Sequence, residues 1–390
     1  MTRKKILYLV AEDHYFLSHR FELAKASVNQ GFEVVLATNV SKYLQQIQSA
    51  GIRVVPLKHF HRSSLNPFKD LKTLKELYKI YKNERPDIVH QVALKPVLYC
   101  TLIARILKIP HIINAIAGMG HVFTDQGLKT RGLRIILSQL FRFILKSPHQ
   151  HIIVQNPDDR HLILNLCSIE PTRVVLIRGS GVDTKLFKKS PEKPIDSKGP
   201  KVALVARMLW SKGIREAIEA QKILKAKNKK LQLFFYGNSD PKNPAAVPNA
   251  LLKTWQKEGL IHWEGHCDHV QDIYKDTHIS LLPSYREGLP RSLLEAAAAG
   301  KPIITTDTPG CREIVQDGVN GFLVPIKNPQ ALANALERLI DDKQLRQKMG
   351  QKGRELIQKE FSDEIIISQT IRLYKDKSVK VSATTGFLKI

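Results

Sequence analysis

The sequence alternates short apolar runs with amphipathic segments, and this pattern occurs twice. The first half has strand patterns at residues 5–10, 33–39, 52–57, 87–92 and 111–117, with helix patterns at 18–31, 43–51, 67–83 and 96–108. The second half has strand patterns at 201–207, 231–237, 261–266, 278–284 and 302–307, with helix patterns at 213–228, 328–342 and 342–361. Such alternation predicts parallel sheets that carry helices on both faces. We therefore expect an α/β protein with two doubly wound domains.

A proline-rich segment separates the two halves. Residues 188–200 contain three prolines and several lysines but no apolar run, which is typical of a linker. We predict a first domain at 1–189, a linker at 190–200 and a second domain at 201–361, followed by a helix at 362–377 and a tail at 378–390. Doubly wound sheets bind ligands beyond the carboxyl ends of their strands, so candidate site residues should directly follow strands.

Composition limits the class of partner. The formal net charge of +25 requires an anionic partner, such as nucleic acid, an anionic membrane or a phosphorylated substrate. The four cysteines have no C-x-x-C spacing, which argues against a zinc site and favours a reducing compartment. No run approaches ~18 apolar residues, so we expect no membrane-spanning helix and a cytoplasmic protein.

Two carboxylates stand eight positions apart in the stretch SYREGLPRSLLEAAAAG, residues 284–300. Glu287 lies in a loop with Gly288 and Pro290, directly after a strand, and Glu295 lies in the helix that follows. The free amides at a helix N-terminus favour an anion. Carboxylates at the same place would repel a bare phosphate but accept hydrogen bonds from hydroxyls. The stretch therefore predicts contacts with a sugar and a ribose; the alternative is a solvated acid pair at a helix start.

Two cations occupy a strand-to-helix turn upstream, in the stretch ARMLWSKG. Arg207 ends a strand and Lys212 precedes the next helix. A guanidinium fork and an ammonium point charge together suit a diphosphate. They could also stabilise the charge that develops on a departing phosphate.

These features resemble glycosyltransferase family 4, a group of retaining enzymes with the GT-B fold. The resemblance depends on the E-x7-E pair Glu287/Glu295 with its EGLP start, on Arg207 and Lys212, and on PGCREIVQDGVNGFLVP at 309–325. It implies two Rossmann-like domains that face each other across a cleft, and a last helix that crosses back to the first domain.

The resemblance also implies roles for individual residues. Arg207, Lys212 and Glu287 are implied as the catalytic group, with the two cations holding the diphosphate. Further donor-binding residues are implied at Gly288, Leu289, Pro290, Glu295, Gly265 and His266. Because the two cations neutralise the diphosphate, no metal is expected. No cofactor is expected either, since the nucleotide sugar is a co-substrate.

The first half resembles bacterial enzymes that extend undecaprenyl-diphosphate-linked sugars with N-acetylhexosamines. The shared stretches are EDHYFLSHRFELAKA at 12–26, VHQVALKP at 89–96, INAIAGMGHVFT at 113–124 and VQNPDDR at 154–160. The glycine-rich loop that commonly follows the first strand in this family is missing. Acceptor-side or phosphate contacts are therefore expected from other residues, namely His19, Arg20, Lys95, Gly118 and Gly120.

A basic amphipathic segment at 128–151 suggests a membrane contact. It interleaves Lys129, Arg131, Arg134, Arg142 and Lys146 with leucine, isoleucine and phenylalanine. Such a helix can lie in the headgroup region of an anionic membrane. The alternative is a half-buried helix with a solvated basic face.

These expectations together describe a retaining glycosyltransferase. It would move a sugar, N-acetylhexosamine by resemblance, from a UDP-sugar to a lipid-diphosphate-linked saccharide at the inner face of the cytoplasmic membrane. A nucleotide-sugar epimerase or hydrolase of the same fold, a basic nucleic-acid-binding protein and a non-catalytic membrane-associated subunit are the alternatives. Basic residues are not interleaved with aromatics in a stripe, so we expect no nucleic-acid partner.

Overall fold

The computed structural model describes residues 3–60, 67–118, 138–146, 149–241 and 243–375. They form two units: residues up to Ser180 together with Ile366 onward, and Gly181–Ile365. Each unit contains one wholly parallel sheet.

The first unit has a seven-stranded sheet in the order β3-β2-β1-β4-β5-β6-β7. Its strands are β1 Lys5–Glu12, β2 Glu33–Asn39, β3 Arg53–Pro56, β4 Ile88–Val92, β5 His111–Ile116, β6 Gln150–Val154 and β7 Val174–Leu176. Its helices are α1 Asp13–His19, α2 Phe21–Asn29, α3 Leu44–Ser49, α4 Pro67–Glu84, α5 Leu94–Ile106, α6 at 138–144 and α7 Pro157–Cys167. The side-chain amide oxygen of Asn156 accepts the Asp159 N–H and caps α7.

The second unit has a six-stranded sheet in the order β10-β9-β8-β11-β12-β13. Its strands are β8 Lys201–Val205, β9 Gln232–Tyr236, β10 His262–Gly265, β11 Ile279–Leu282, β12 Ile303–Thr306 and β13 Gly321–Val324. Its helices are α8 Ile214–Ala226, α9 Asn249–Lys257, α10 Val270–Asp276, α11 Arg291–Ala298, α12 Pro329–Asp341 and α13 Lys343–Glu360. Apolar clusters cover both faces of this sheet. Its buried strands therefore do not need to alternate apolar with polar residues.

The last helix, α14 Asp363–Lys375, returns to the first unit as the resemblance implies. Ile366, Ile371, Leu373 and Tyr374 are buried in the first unit's apolar core. The Tyr374 hydroxyl lies 3.0 Å from the Tyr8 hydroxyl on β1. The predicted tail at 378–390 lies outside the described residues.

The unit boundary differs from the predicted one at 189/190. It falls after Ser180, because Val182 and Phe187 are buried in the second unit's core. The predicted linker at 190–200 also belongs to the second unit. Glu192 pairs there with the buried Arg346 of α13, and the Lys193 carbonyl lies 3.0 Å from His278 Nε2. Proline content alone could not reveal these anchors.

Two predicted helices differ from the observed ones. The helix at 18–31 is divided at Arg20, whose φ of −136° is not helical. The amphipathic segment at 128–151 is not one helix through its end, because Gln150 and His151 begin β6, where the β-branched run Ile152–Val154 favours a strand. Residues 119–137 and 147–148 of this region lie outside the described residues.

Candidate active site

Three turns meet at the carboxyl edge of the second unit's sheet. They follow β8, β11 and β12, which are neighbours in the strand order. The Tyr285 amide donates to the Ser211 carbonyl at 2.9 Å, and the Ser284 hydroxyl lies 3.1 Å from the same oxygen. The hydroxyl of Thr306, at the end of β12, donates to the Ser284 carbonyl. These bonds fix the loop that carries Glu287 against the turn that carries Lys212.

Two glycines permit this close approach. Gly213 has φ of +74°, and a Cβ there would lie 2.1 Å from the Pro283 carbonyl oxygen. Gly310 has φ of +81°, and a Cβ there would lie 2.4 Å from the Gly288 carbonyl oxygen. Any side chain would separate the turns, so both positions require glycine on steric and conformational grounds.

Lys212 and Glu287 form an ion pair at this junction. The ammonium contacts Glu287 Oε1, and their side chains are only 18% and 13% exposed. The Ser284 hydroxyl donates to the same carboxylate oxygen at 2.7 Å. Arg207 lies exposed on the turn after β8. The structure thus brings together one predicted cation and one predicted carboxylate that are distant in sequence.

Glu295 has a separate partner. Its carboxylate accepts from Arg291 Nε at 2.7 Å, one turn earlier on α11. Burial raises the pKa of Glu295 above its usual value, and the Arg291 charge opposes this increase. Pro290 precedes the first residue of α11, and Leu289 beside it is buried. Gly288 supplies the carbonyl that Gly310 approaches.

Gly265 and His266 lie at the end of β10. Gly265 has φ of +70°, and its carbonyl accepts the Gly237 amide at 2.6 Å. The exposed His266 ring has Nε2 3.1 Å from Asp268 Oδ1. Within the described part of the chain, no hydrogen bond or ion pair joins them to the Lys212–Glu287 pair, although the turns after β9 and β10 lie at the same sheet edge.

A buried carboxylate next to the site was not identified from the sequence. Glu216, in the first turn of α8, accepts from the Tyr285 hydroxyl at 2.7 Å and is 5% exposed. Burial and the Glu216 charge both raise the pKa of Tyr285. Ser284 and Tyr285 are the first two residues of the stretch SYREGLPRSLLEAAAAG, so the sequence did contain a signal for this loop. Glu216 gave none, because an acid in a first helical turn is ordinary.

The first unit's predicted residues are engaged in different ways. The Lys95 ammonium forms an ion pair with Asp70 at 2.9 Å and lies over the Tyr99 ring. The His19 ring stacks on Tyr15 with centroids 4.1 Å apart. Gly118 has φ of +124°, and Gly120 lies outside the described residues. Arg20 is buried, with 5% exposure.

Within the described residues, no three His, Cys, Asp or Glu side chains form a group that could hold a metal ion. Across the same part of the chain, no helix combines the length and apolar character needed to cross a bilayer.

Comparison with known proteins places both halves in glycosyltransferase families. Residues 5–156 match the family described as glycosyl transferase 4-like, and residues 187–356 match glycosyl transferases group 1. An N,N'-diacetylbacillosaminyl-diphospho-undecaprenol alpha-1,3-N-acetylgalactosaminyltransferase of Campylobacter jejuni is 30% identical over 94% of this chain and 98% of that enzyme. A UDP-Gal:alpha-D-GlcNAc-diphosphoundecaprenol alpha-1,3-galactosyltransferase of Escherichia coli is 25% identical over 81% of this chain and 82% of that enzyme.

Solved structures support the fold. A glycosyltransferase from Rickettsia africae has a TM-score of 0.75 at 18% identity, covering 97% of this chain and 99% of that one. Anabaena HepE in complex with UDP and glucose has a TM-score of 0.74 at 16% identity, covering 96% and 100%. The predicted α/β fold with two Rossmann-like sheets is confirmed. Neither relative named above is an epimerase or a nucleic-acid-binding protein, so those alternatives gain no support.

Proposed function

The chain belongs to the glycosyltransferases with a 4-like first half and a group 1 second half, and on that premise we propose the reaction that it catalyses. It moves a sugar, N-acetylhexosamine in our proposal, from a UDP-sugar to a lipid-diphosphate-linked saccharide and retains the anomeric configuration. The names of the Campylobacter and E. coli relatives, which specify diphospho-undecaprenol acceptors, support this acceptor class.

The observation that carries the proposal is the Lys212–Glu287 pair at the junction of three turns. In our mechanism the donor diphosphate binds Lys212, Arg207 and the amides near the start of α11. The acceptor hydroxyl attacks the anomeric carbon on the face that the diphosphate leaves, and its proton passes to the departing phosphate. The two cations at that phosphate stabilise its developing charge, so the proposed mechanism requires no metal.

The carboxylates take the hydroxyls of the donor. Glu287 is positioned by Ser284 and Lys212, and with the backbone at 288–290 it would orient the sugar. Glu295 would accept from the ribose, with Arg291 sharing its charge. Gly265 and His266 at the end of β10 would contact the rest of the nucleotide. A buried carboxylate that pairs with a cation remains a strong acceptor for a substrate hydroxyl.

The acceptor side is assigned to the first unit. His19, Arg20, Lys95, Gly118 and Gly120 stay our candidates for contacts with the acceptor or its phosphates. The Lys95–Asp70 pair holds the ammonium at the start of α5, directly after β4, which is a usual position for ligand contacts in such sheets.

Exposed apolar side chains next to Arg105 support membrane association. Leu102 and Ile106 on α5 and Leu140 and Phe143 on α6 are 37%, 61%, 40% and 61% exposed. Arg105 joins the two helices, since it donates to the Phe143 carbonyl at 2.7 Å. Exposed leucine, isoleucine and phenylalanine beside arginine suit the headgroup boundary of an anionic leaflet. We propose that the protein is peripheral on the inner face of the cytoplasmic membrane.

A donor screen followed by a transfer assay tests the function. Each nucleotide sugar is added to the protein and to Lys212→Ala, and melting temperatures are compared; the true donor should stabilise only the protein with Lys212 intact. Transfer to a lipid-diphosphate-linked saccharide is then followed by chromatography, and the anomeric configuration of the product by NMR. Donor consumption without acceptor, or an inverted product, would contradict the proposal.

A further inference from the structure

A buried guanidinium in the first unit has no counter-ion among the described residues. Arg20 is 5% exposed, and its one hydrogen bond there runs from Nη1 to the His19 carbonyl at 2.8 Å. Its Nε is buried without a partner in the described part of the chain. An unpaired buried charge is costly, because burial removes the water that would solvate it. A site of this kind favours an anion.

His90 lines a small cavity together with Arg20, and it also has an unpaired nitrogen among the described residues. The cavity, of about 10 Å³, is lined by Arg20, His90, Ser180 and Thr370, among others. His90 is 1% exposed, and its Nε2 likewise has no partner among the described residues. The volume matches about one water-sized group. It can admit a single oxygen atom but not a whole phosphate.

A hydrogen-bond chain behind His90 allows its free nitrogen to donate. His90 Nδ1 lies 2.5 Å from the Tyr374 hydroxyl, which lies 3.0 Å from the Tyr8 hydroxyl, which lies 3.2 Å from the Ser27 hydroxyl. If the Tyr8 and Tyr374 hydroxyls donate towards His90, Nδ1 accepts and Nε2 carries the proton. The Ser27 hydroxyl instead donates to the Leu23 carbonyl at 2.8 Å. Burial, and then the Arg20 charge, lower the pKa of His90 well below its usual value, so the ring is neutral at pH 7.

We propose that this cavity, the Arg20–His90 pocket, binds one terminal oxygen of a phosphate group, with Arg20 Nε and His90 Nε2 as the two donors. A water molecule would satisfy the two nitrogens but would leave the guanidinium charge unbalanced. The phosphate can be free, or part of the acceptor or donor diphosphate. Only the last two sources rest on the proposed function.

Inorganic phosphate is the first probe. Thermal denaturation with phosphate against chloride at equal ionic strength is measured in a Lys212→Ala background, which removes the proposed donor diphosphate contact. Phosphate should stabilise the Lys212→Ala protein and its control Arg160→Met, whose guanidinium donates to the backbone carbonyls of Val174 and Pro171. Arg20→Met should weaken the apparent phosphate affinity at least tenfold. An equal response in Arg20→Met, or no response in any variant, would overturn the proposal and leave a water site.

Histidine NMR provides a readout that does not depend on a variant. In protein labelled with ¹⁵N-histidine, phosphate should move the His90 Nε2 resonance, with Nε2 bearing the proton; an unmoved resonance contradicts the pocket. Geranyl diphosphate, which represents the acceptor, and UDP, which represents the donor, then distinguish the two diphosphate sources. Arg20→Met should bind more weakly to the compound whose phosphate occupies the pocket. If phosphate binds but no sugar is transferred, the pocket stands and the proposed reaction fails. If sugar is transferred but phosphate never binds, the proposed reaction is supported and the pocket is ruled out.

Discussion

Lys212 and Glu287 form an ion pair across 75 positions of sequence, at the point where the turns after β8 and β11 touch. The contact is mostly buried, and Ser284 donates to the same carboxylate oxygen. A lysine held by a carboxylate cannot rotate freely into solvent. The pair therefore fixes the ammonium in position before a diphosphate arrives, which lowers the reorganisation needed during transfer.

Loss of the ammonium should slow the reaction strongly. In Lys212→Ala the departing diphosphate loses one fixed positive charge, so we expect kcat/KM to fall by about 10²–10³, by analogy with the loss of one oxyanion donor. Steady-state transfer kinetics check this. The control Lys227→Ala removes a solvent-accessible ion pair with Glu337 and should keep full activity. Unchanged turnover in Lys212→Ala would contradict the diphosphate assignment.

Much of the second unit could be predicted from the sequence because local signals and the fold agree there. Every predicted strand of that unit is present, and Lys212 and Glu287 lie directly after two of them. The contact between the two residues follows from the adjacency of β8 and β11, which parallel crossovers favour but the residues alone do not specify. Their pairing with each other, instead of with solvent, was not predictable.

The first unit was harder to predict because its key contacts are long-range. The Tyr8, His90 and Tyr374 cluster joins β1, β4 and the last helix, and no local pattern marks it. The burial of Arg20 was hidden for the same reason, since an arginine within a predicted helix is usually exposed. The boundary at Ser180 likewise depends on which core receives Phe187.

Glycine at position 310 should be essential for the geometry of the Glu287 loop. Gly310→Ala places a Cβ 2.4 Å from the Gly288 carbonyl oxygen, so the loop must move and transfer should fall more than tenfold. Gly318→Ala is the matched control: φ is also positive, at +72°, but nothing lies within 4 Å of the added carbon. It should lose about 1–2 kcal/mol of stability from backbone strain and keep its activity. Equal activity in the two variants would contradict the close contact.

Glu295 should make stability depend on pH in a defined direction. Because burial raises its folded-state pKa above the usual 4.5, protonation favours the folded state. That contribution is present below pH 4.5 and is lost as pH rises through the folded-state pKa. Glu295→Gln cannot ionise, so its stability relative to the parent should increase from pH 4 to pH 7. Urea denaturation across this range measures the difference, with Glu219→Gln at an exposed position as the control. A difference that decreases with pH would show the opposite shift.

The Glu192–Arg346 pair should anchor the segment that the sequence predicts as a linker. Arg346 is 2% exposed and donates to both Glu192 oxygens, at 2.7 and 3.2 Å. Glu192→Gln leaves the guanidinium buried without a counter-charge, so we expect the free energy of unfolding to fall by about 3 kcal/mol. Chemical denaturation tests this against Glu355→Gln, which breaks an exposed pair with Lys352 and should change little. An unchanged midpoint in Glu192→Gln would show that the segment is not held by this pair.

Membrane association should depend on charge in the first unit. Reversal of Arg131, Arg134 and Arg142 to glutamate removes three attractive charges, each worth on the order of 1 kcal/mol near an anionic surface, and adds three repulsive ones. Binding to vesicles that contain phosphatidylglycerol should therefore be lost, while circular dichroism stays native.

The control variant reverses the charge of three lysines in the second unit, Lys222, Lys225 and Lys253. This changes the net charge by the same amount, but the control should still bind vesicles. If both triple variants bind alike, attraction is a general effect of net charge and the patch on α5 and α6 is not the contact. Phe143→Ser then separates the two forces, because loss of an apolar anchor should weaken binding even at high salt, where charge attraction is screened.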